Sequence, residues 1–213
     1  MASATIVLSN KLKNDLLKKR IDFSADNFKA ILMRSGFVFN ADAHHYRANI
    51  KGSVSQTVSF QSLMILGSGF SDAGFISGCN ITVSGTTSYA GSHVLISATD
   101  SILYLLTTSL ANGTSLALIT IVDELASGNG YSQDAWYFSG LTIGEDDASD
   151  ITSMVWATAL SWTAAGGNIG PTPGLIMLDD SWSAIIGYIS FASAESVAIG
   201  NALVISGVTI RLA

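Results

Sequence analysis

The sequence predicts an all-β protein: a β-sandwich or jelly-roll-like body with one short N-terminal amphipathic helix and an inserted β-rich module. Three observations lead to this fold class. Apolar and polar residues alternate in many short runs, clusters of Gly, Ser and Thr separate those runs, and only 12% of the 213 residues are charged whereas 48% are hydrophobic. A disordered chain would be poor in apolar residues and rich in charge, so this composition excludes disorder.

The one helical pattern lies near the N-terminus. Leu12, Leu16 and, less squarely, Leu17 share one face of a helix, and lysines occupy the other face. Ser9 or Asn10 would cap the start of this helix, and the cations near its end would favour the negative end of the helix dipole. We therefore expect a short amphipathic helix that packs its apolar stripe on the core.

Short apolar runs bounded by turn residues predict strands from residue 28 to the C-terminus. These runs are Phe28–Met33, Ile81–Ser84, Val94–Ala98, Trp136–Phe138, Leu141–Ile143, Met154–Ala157, Leu160–Thr163, Leu175–Leu178, Ile185–Phe191 and Leu203–Leu212. In the most apolar window, Asn112-Gly113 separates two further runs, Ile102–Thr108 and Leu116–Val122. An Asn-Gly pair between two such runs is typical of a hairpin turn, so we expect a β-hairpin here and not a membrane-spanning helix.

Charge is distributed unevenly along the chain. The first 51 residues hold nine of the ten basic side chains against four acids, a formal balance of +5, whereas the remaining residues hold one basic side chain against 12 acids. Such asymmetry favours assembly in which the basic end of one molecule meets an acidic surface of another. The resulting interface candidates are Lys11, Lys18, Lys19, Arg20, Arg34 and Arg47. The alternative is that these charges are ordinary solvated surface.

A nearly uncharged segment interrupts the chain. From residue 52 to residue 121 the sequence holds 23 Ser or Thr residues and only two charged ones, Asp72 and Asp100. Small hydroxyl side chains suit strands that are covered by neighbouring strands or by other subunits. We predict an inserted β-rich module over residues 50–121 and a discontinuous body over residues 1–49 and 122–213. One continuous β-domain with a polar midsection is the alternative.

The sequence offers no convincing catalytic or metal-binding constellation. His44 and His45 are adjacent, so in a strand they would point to opposite faces and make poor joint ligands. The acidic loop Glu145-Asp146-Asp147 lacks the spacing and the glycine of a calcium-binding EF-hand. Asp179-Asp180 has no partner acid or base nearby in sequence, and the single Cys79 cannot form a disulfide within the chain. We expect no enzymatic activity, no cofactor and no metal site.

Net charge and hydropathy also bear on the class of partner. A formal net charge of −6 argues against binding of nucleic acid as the main task. The first eight residues are only weakly apolar, and the lysine cluster follows them instead of preceding them, which is the wrong order for a signal peptide. We therefore expect neither nucleic acid nor a membrane among the partners.

Two flanks of the chain resemble a known family when the middle segment is set aside. Residues 9–23 (S-N-K-L-K-N-D-L-L-K-K-R-I-D-F) and 26–33 (D-N-F-K-A-I-L-M) are similar to the opening helix, I-D turn and first strand of small virion structural proteins of tailed bacteriophages. The family's D-E-h-x-x-G-x-G-Y segment resembles residues 123–131 (D-E-L-A-S-G-N-G-Y). Further landmarks follow in the same order: Leu141-Thr142-Ile143, Trp162-Thr163-Ala164, Ile169-Gly170-Pro171, Leu178-Asp179-Asp180 and Ile186–Phe191. The similarity covers roughly residues 9–48 and 123–213.

This resemblance implies a non-enzymatic virion structural protein, and within that group a capsid decoration (cement) protein that binds and stabilises the shell. The implied location is the virion, after assembly in the cytoplasm of the host bacterium. The implied partners are the major capsid protein or other virion structural proteins and further copies of this chain, for which we expect a trimer. One alternative is a tail, neck or fibre-attachment protein. Another is a carbohydrate-binding β-sandwich with stacking platforms at Trp136, Tyr137, Trp156, Trp162 and Trp182.

Overall fold

The computed structural model describes residues 5–86, 88–106, 110–148 and 150–212. The chain divides into two compact units. The first, here called the body unit, combines Met1–Ser35 with Leu125–Ala213, and the second, the barrel unit, is Gly36–Glu124. The body unit is therefore assembled from two segments that lie far apart in the sequence.

The described residues form strands of 3 to 14 residues and two short helices. In chain order these elements are β1 (Thr5–Leu8), α1 (Leu12–Leu17), β2 (Phe28–Leu32), α2 (Ala48–Lys51), β3 (Ser53–Ser62), β4 (Met64–Leu66), β5 (Asn80–Ser84), β6 (Gly91–Ala98), β7 (Ile102–Leu105), β8 (Leu110–Ile121), β9 (Leu141–Asp146), β10 (Ile151–Trp156), β11 (Leu160–Thr163), β12 (Ile169–Asp179), β13 (Ala184–Val197), β14 (Ala202–Ile205) and β15 (Val208–Leu212). The prediction of an all-β fold is confirmed.

The body unit contains three antiparallel sheets. Their strand orders are β1-β13-β12-β2, β15-β10-β9 and β11-β14. One hydrophobic core joins side chains from all three sheets with side chains from the N-terminal segment: Leu12, Ile21, Met154, Trp156, Trp162, Leu175, Leu203 and Ile210 are among its buried members. Burial of apolar surface is the dominant favourable term in folding, so this shared core holds the two sequence segments together.

Helix α1 begins and ends at the first and last leucines of the predicted pattern, Leu12 and Leu17. Lys11 occupies its N-cap position without a side-chain cap, so the expectation that Ser9 or Asn10 caps the helix is wrong. Leu12 is buried whereas Leu17 is 86% exposed, and the last turn holds no basic residue. Among the helices of the described residues, none has the length and apolar character needed to span a bilayer.

The barrel unit is built on a closed antiparallel barrel with the strand order β3-β4-β7-β6-β5-β8. Because side chains alternate between the two faces of a strand, every second residue points inward. The inward side chains form a buried apolar core that includes Phe60, Ile65, Ile81, Leu103 and Ile119. The outward positions are rich in serine and threonine, which explains how a segment with few charges forms regular strands.

Residues 36–49 belong to the barrel unit and not, as the sequence indicated, to the body. Asn49 anchors them there. Its side-chain nitrogen donates to the carbonyl oxygen of Gly74 at 3.0 Å, and its side-chain oxygen accepts from the backbone N–H groups of His45 and Tyr46. These are long-range and loop contacts, which leave no periodic signal in the sequence.

The expected hairpin at Asn112-Gly113 is wrong, because both residues lie inside the long strand β8. Gly113 pairs with Phe60 on β3, and Asn112 accepts a hydrogen bond from the backbone N–H of Ser62 at a break in the strand register. A Cβ atom on Gly113 would lie 2.0 Å from the hydroxyl of Tyr89. Glycine is thus needed there for close approach and not for a turn. Thr107 and Thr108, the end of the expected first hairpin strand, lie outside the described residues.

Two other predicted strands differ in detail. The run Leu203–Leu212 is divided into β14 and β15 around Gly207, whose φ is +65°, and the two strands join different sheets. The run Trp136–Phe138 is not a strand, but it lies along β2 through a single bridge between Lys29 and Tyr137. Backbone hydrogen bonds on either side of that bridge extend the contact.

Candidate interaction surfaces

The outer surface of the barrel carries aliphatic side chains in place of charges. Ile96 on β6 is 50% exposed and Leu116 on β8 is 62% exposed. Other large exposed aliphatic side chains of the barrel unit are Val38, Leu63, Val94, Leu106 and Leu118. Val94 and Ile96 form one exposed aliphatic pair on β6, and Leu116 and Leu118 form another on β8; β5 lies between these two strands. We call the outward side chains of β6 and β8 the outer barrel surface.

The pairing of β8 with its two neighbouring strands places hydroxyl side chains beside the exposed leucines. Leu116 and Leu118 lie opposite Thr57 and Ser55 on the neighbouring strand β3. On the other side of β8, Ser84 of β5 lies opposite Leu118. The outward faces of β3, β5 and β8 therefore present hydroxyl and aliphatic groups side by side, and none of these three strands carries a charged side chain. Such a surface loses little solvation energy when a partner covers it, because no ion has to leave water.

The predicted basic interface residues do not form one patch. Lys11 forms an ion pair with Asp15, and Nη1 of Arg20 lies 3.7 Å from Oδ1 of the same buried carboxylate. These two cations therefore hold α1 in place. Lys18 and Lys19 follow α1 and are exposed, and neither forms an ion pair within the described residues.

The other two predicted interface residues lie elsewhere. Arg34 follows β2 in the body unit, and Arg47 precedes α2 in the barrel unit. Both side chains are half-buried and take part in contacts of their own. The structure thus brings four of the six predicted residues together around α1, whereas Arg47 belongs to the other unit.

A groove beside α1 was not apparent in the sequence. It encloses about 430 Å³, and Leu16, Ile21 and Phe23 line one wall. Ile143 and Met154, from the hairpin of β9 and β10, line the opposite wall. Because its two walls come from segments far apart in the chain, no local pattern could have identified the groove.

Only two of the five aromatic residues proposed as stacking platforms are exposed. Trp156 and Trp162 are buried in the core of the body unit, so the expectation that they stack on a sugar is wrong. Trp136 packs against Trp162 at a ring-centroid distance of 5.4 Å. Tyr137 and Trp182 are 44% and 55% exposed, respectively.

Asp179 and Asp180 have separate roles in the turn between β12 and β13. Asp179 is fully buried, and one of its carboxylate oxygens accepts from the backbone N–H of Ser181 at 2.8 Å. Burial, together with the neighbouring Asp26, raises the pKa of Asp179 to about 6. Asp180 instead pairs with Lys29. The two carboxylates therefore stabilise a turn and do not form an acid pair around a common cleft.

The histidine pair is divided between the interior and the surface of a loop. The His44 ring is buried and stacks on Phe39, and its Nδ1 lies 3.0 Å from the backbone nitrogen of Asn40. Burial lowers the pKa of His44 to about 4. His45 is only half-buried. Across the described residues, no group of three or more His, Cys, Asp or Glu side chains is placed to hold a metal ion.

The two acids of the D-E segment, Asp123 and Glu124, are buried in the barrel unit. The side-chain nitrogen of Asn80 lies 2.6 Å from Oδ1 of Asp123, and Nζ of Lys51 lies 3.3 Å from Oε2 of Glu124. Leu125, the next residue, belongs to the body unit, where its N–H donates to the carbonyl of Leu32. These acids are therefore engaged in structural contacts at the end of the barrel.

Comparisons of this chain with protein-family models, with curated proteins and with solved structures give no match.

Proposed function

We propose that this protein is a non-enzymatic structural protein of a tailed-phage virion, and specifically a decoration (cement) protein that binds the capsid shell and stabilises it. The observation that carries the proposal is the outer barrel surface, where Ile96, Leu116 and their aliphatic neighbours face solvent on strands without charge. The resemblance of residues 9–48 and 123–213 to small virion proteins implies that the partner is another virion structural protein.

The proposed mechanism is adhesion. A large aliphatic side chain that moves from water to a fully buried contact contributes about 1.5–3 kcal/mol, so a few half-exposed residues on each copy add up over many copies on a shell. The cations around α1 would orient one copy of the chain against another, because charge complementarity controls encounter and register more than affinity. The location in the virion remains a prediction, and so does the trimer, which competes with a two-fold self-association of the chain.

Cryo-electron microscopy of virions that contain this chain tests the proposal. We expect density for the protein on the outside of the shell in hundreds of copies, with the outer barrel surface covered by a capsid subunit or by another copy. Six or twelve copies per particle would support the tail or neck alternative instead. Absence of the chain from the shell would overturn the cement function.

A second candidate function is binding of a carbohydrate at the exposed pair Tyr137 and Trp182. Oδ2 of Asp180 accepts a hydrogen bond from the Tyr137 hydroxyl at 3.0 Å, and Trp182 follows Asp180 by two residues in the same turn. An aromatic face beside a fixed polar group is the usual composition of a small-molecule site. Binding on a glycan array that disappears in Trp182→Ala, with folding retained, would support this function over simple adhesion.

A further inference from the structure

We propose that the groove beside α1 is a self-association surface, and that its occupant is the same groove of a second copy related by a two-fold axis. The surface belongs to the body unit alone, so this association does not depend on the proposed binding to a shell. The groove has apolar walls, and Ile143 of β9, which lines it, is 48% exposed; Leu17, the residue after the lining residue Leu16 on α1, is 86% exposed.

Basic side chains flank one wall of the groove. Lys18, Lys19 and Arg20 follow α1, and Lys19 itself lines the groove. The φ of Lys19 is +53°, which ends the helix and turns the chain back along the groove toward Ile21. Asp22 also lies on this wall, but Ser24 donates to its carboxylate from both its hydroxyl and its backbone N–H.

Acidic side chains flank the opposite wall. Glu145 is two residues beyond Ile143 on β9, so both side chains lie on the same face of the strand. Glu145 also lies directly opposite Thr152, which lines the groove. Asp147 and Asp150 follow in the exposed turn of the same hairpin. None of these three carboxylates forms an ion pair within the described residues.

The arrangement of the two charged walls selects the symmetry of the contact. In a two-fold contact, residue i of one copy meets residue j of the other and the reverse also holds. A two-fold axis through the groove therefore places the basic wall of each copy on the acidic wall of the other, while Leu17 and Ile143 cover apolar surface. A three-fold ring would require the two walls of one groove to meet two different neighbours.

Light scattering of the purified full-length chain, at low and at high salt, tests this assignment. We expect a concentration-dependent dimer that salt weakens, because exposed opposite charges are screened. Two double variants each reverse the charge of one wall. The first combines Lys18→Glu with Lys19→Glu, and the second combines Glu145→Lys with Asp147→Lys. Each variant alone is expected to raise the dissociation constant of its own dimer by about tenfold or more, since like charges then face each other.

Mixing the two reversed variants gives the decisive result. The mixture is expected to restore a one-to-one dimer, because each reversed wall then meets its complement. Arg211→Glu is the matched control, since Arg211 is exposed and lies beside Leu212 on the opposite face of β15; it should leave the dimer unchanged. The proposal would be overturned if the wild-type protein is monomeric at submillimolar concentration or has the mass of three chains. It would also be overturned if the mixture fails to associate although each variant keeps the wild-type tryptophan fluorescence.

Discussion

The ammonium nitrogen of Lys29 lies 2.7 Å from Oδ1 of Asp180, and the other oxygen of this carboxylate accepts a hydrogen bond from Tyr137. Burial opposes the charge on Lys29, but its contacts with Asp180 and Tyr137 outweigh burial and raise the pKa of the ammonium. The three side chains connect the start of β2, the segment that bridges to it and the turn after β12. One ion pair therefore links three separate parts of the body unit.

Asp180→Ala is expected to destabilise the body unit by about 2 kcal/mol, because it leaves the buried ammonium of Lys29 without its partner. All four tryptophans lie in the body unit, so urea unfolding followed by tryptophan fluorescence reports on this unit. Asp147→Ala, in an exposed turn, should change the free energy of unfolding by less than about 0.5 kcal/mol. Adding Lys29→Met to Asp180→Ala should cost less than the sum of the two single changes, and strict additivity would contradict the role of the pair.

The buried carboxyl of Asp179 makes the body unit less stable as pH rises. Its pKa is about 6 in the folded protein, against an ordinary value of 3.8. Between these two values the folded state holds a proton that the unfolded state has already released, so the free energy of unfolding falls with rising pH and stays low above pH 6. The difference corresponds to at most about 3 kcal/mol.

Asp179→Asn should remove this pH dependence. The amide keeps the oxygen that accepts from the N–H of Ser181 but carries no charge. We expect the variant to be more stable than the wild type above pH 6 and to gain nothing below about pH 4. Urea midpoints measured by tryptophan fluorescence across that range provide the check, with Asp147→Asn as the exposed control. A wild-type midpoint that rises between pH 4 and 6 would contradict this account.

The barrel unit should respond to pH in the opposite direction. The His93 ring is buried on the inward face of β6, and neither of its nitrogens has a hydrogen-bond partner among the described residues. Burial lowers the pKa of His93 and also that of His44, which falls to about 4. Below the ordinary value of 6.5 the unfolded chain binds protons that the folded barrel unit excludes. Its stability is therefore lost progressively as the pH falls from 6.5 toward 4.

Labelling of Cys79 reports on the stability of the barrel unit alone, because the single thiol of the chain is buried in the barrel core. Its reaction with a pyridyl disulfide requires the barrel unit to open. We expect His93→Leu to slow this reaction below pH 6.5 and to stabilise the unit by about 1–2 kcal/mol, since it removes two unsatisfied polar atoms. Comparison with the wild type at each pH cancels the intrinsic reactivity of the thiol. Faster labelling of the variant would contradict this account, because it would show that the His93 ring forms contacts that stabilise the barrel unit.

Gly130 and Gly166 offer a matched pair of substitutions. Both have a positive φ, +94° and +81°, but a Cβ on Gly130 would lie 2.0 Å from the carbonyl oxygen of Thr163, whereas nothing lies within 4 Å of the corresponding position at Gly166. Gly166→Ala should therefore cost about 1 kcal/mol for backbone strain alone, and Gly130→Ala more than about 3 kcal/mol. Equal midpoints in urea would show that the close approach does not matter.

These substitutions also show what the sequence could predict and what it could not. The run Leu160–Thr163 matches β11 residue for residue, because alternation of apolar and polar side chains is a local signal. The pair Asn112-Gly113 predicts a turn, but Gly113 instead allows the close approach of Tyr89, and a contact between residues 24 positions apart leaves no local signal in the sequence. Likewise, Trp162 is a buried residue of β11 whereas Trp182 is exposed in the turn between β12 and β13, and the residues next to each tryptophan do not specify this difference.

Leu116→Lys tests whether the outer barrel surface binds a shell. The side chain points outward and is 62% exposed, so a lysine can replace it without entering the core. Burying its charge at a contact would be costly, and we expect binding to weaken by about tenfold or more. Co-sedimentation of the purified chain with shells assembled in its absence measures the effect, and unchanged labelling of Cys79 confirms that the barrel is intact. Ala194→Lys adds the same charge at an exposed position of the body unit and should bind like the wild type. If Ala194→Lys loses binding while Leu116→Lys keeps it, adhesion belongs to the body unit and the barrel surface has another role.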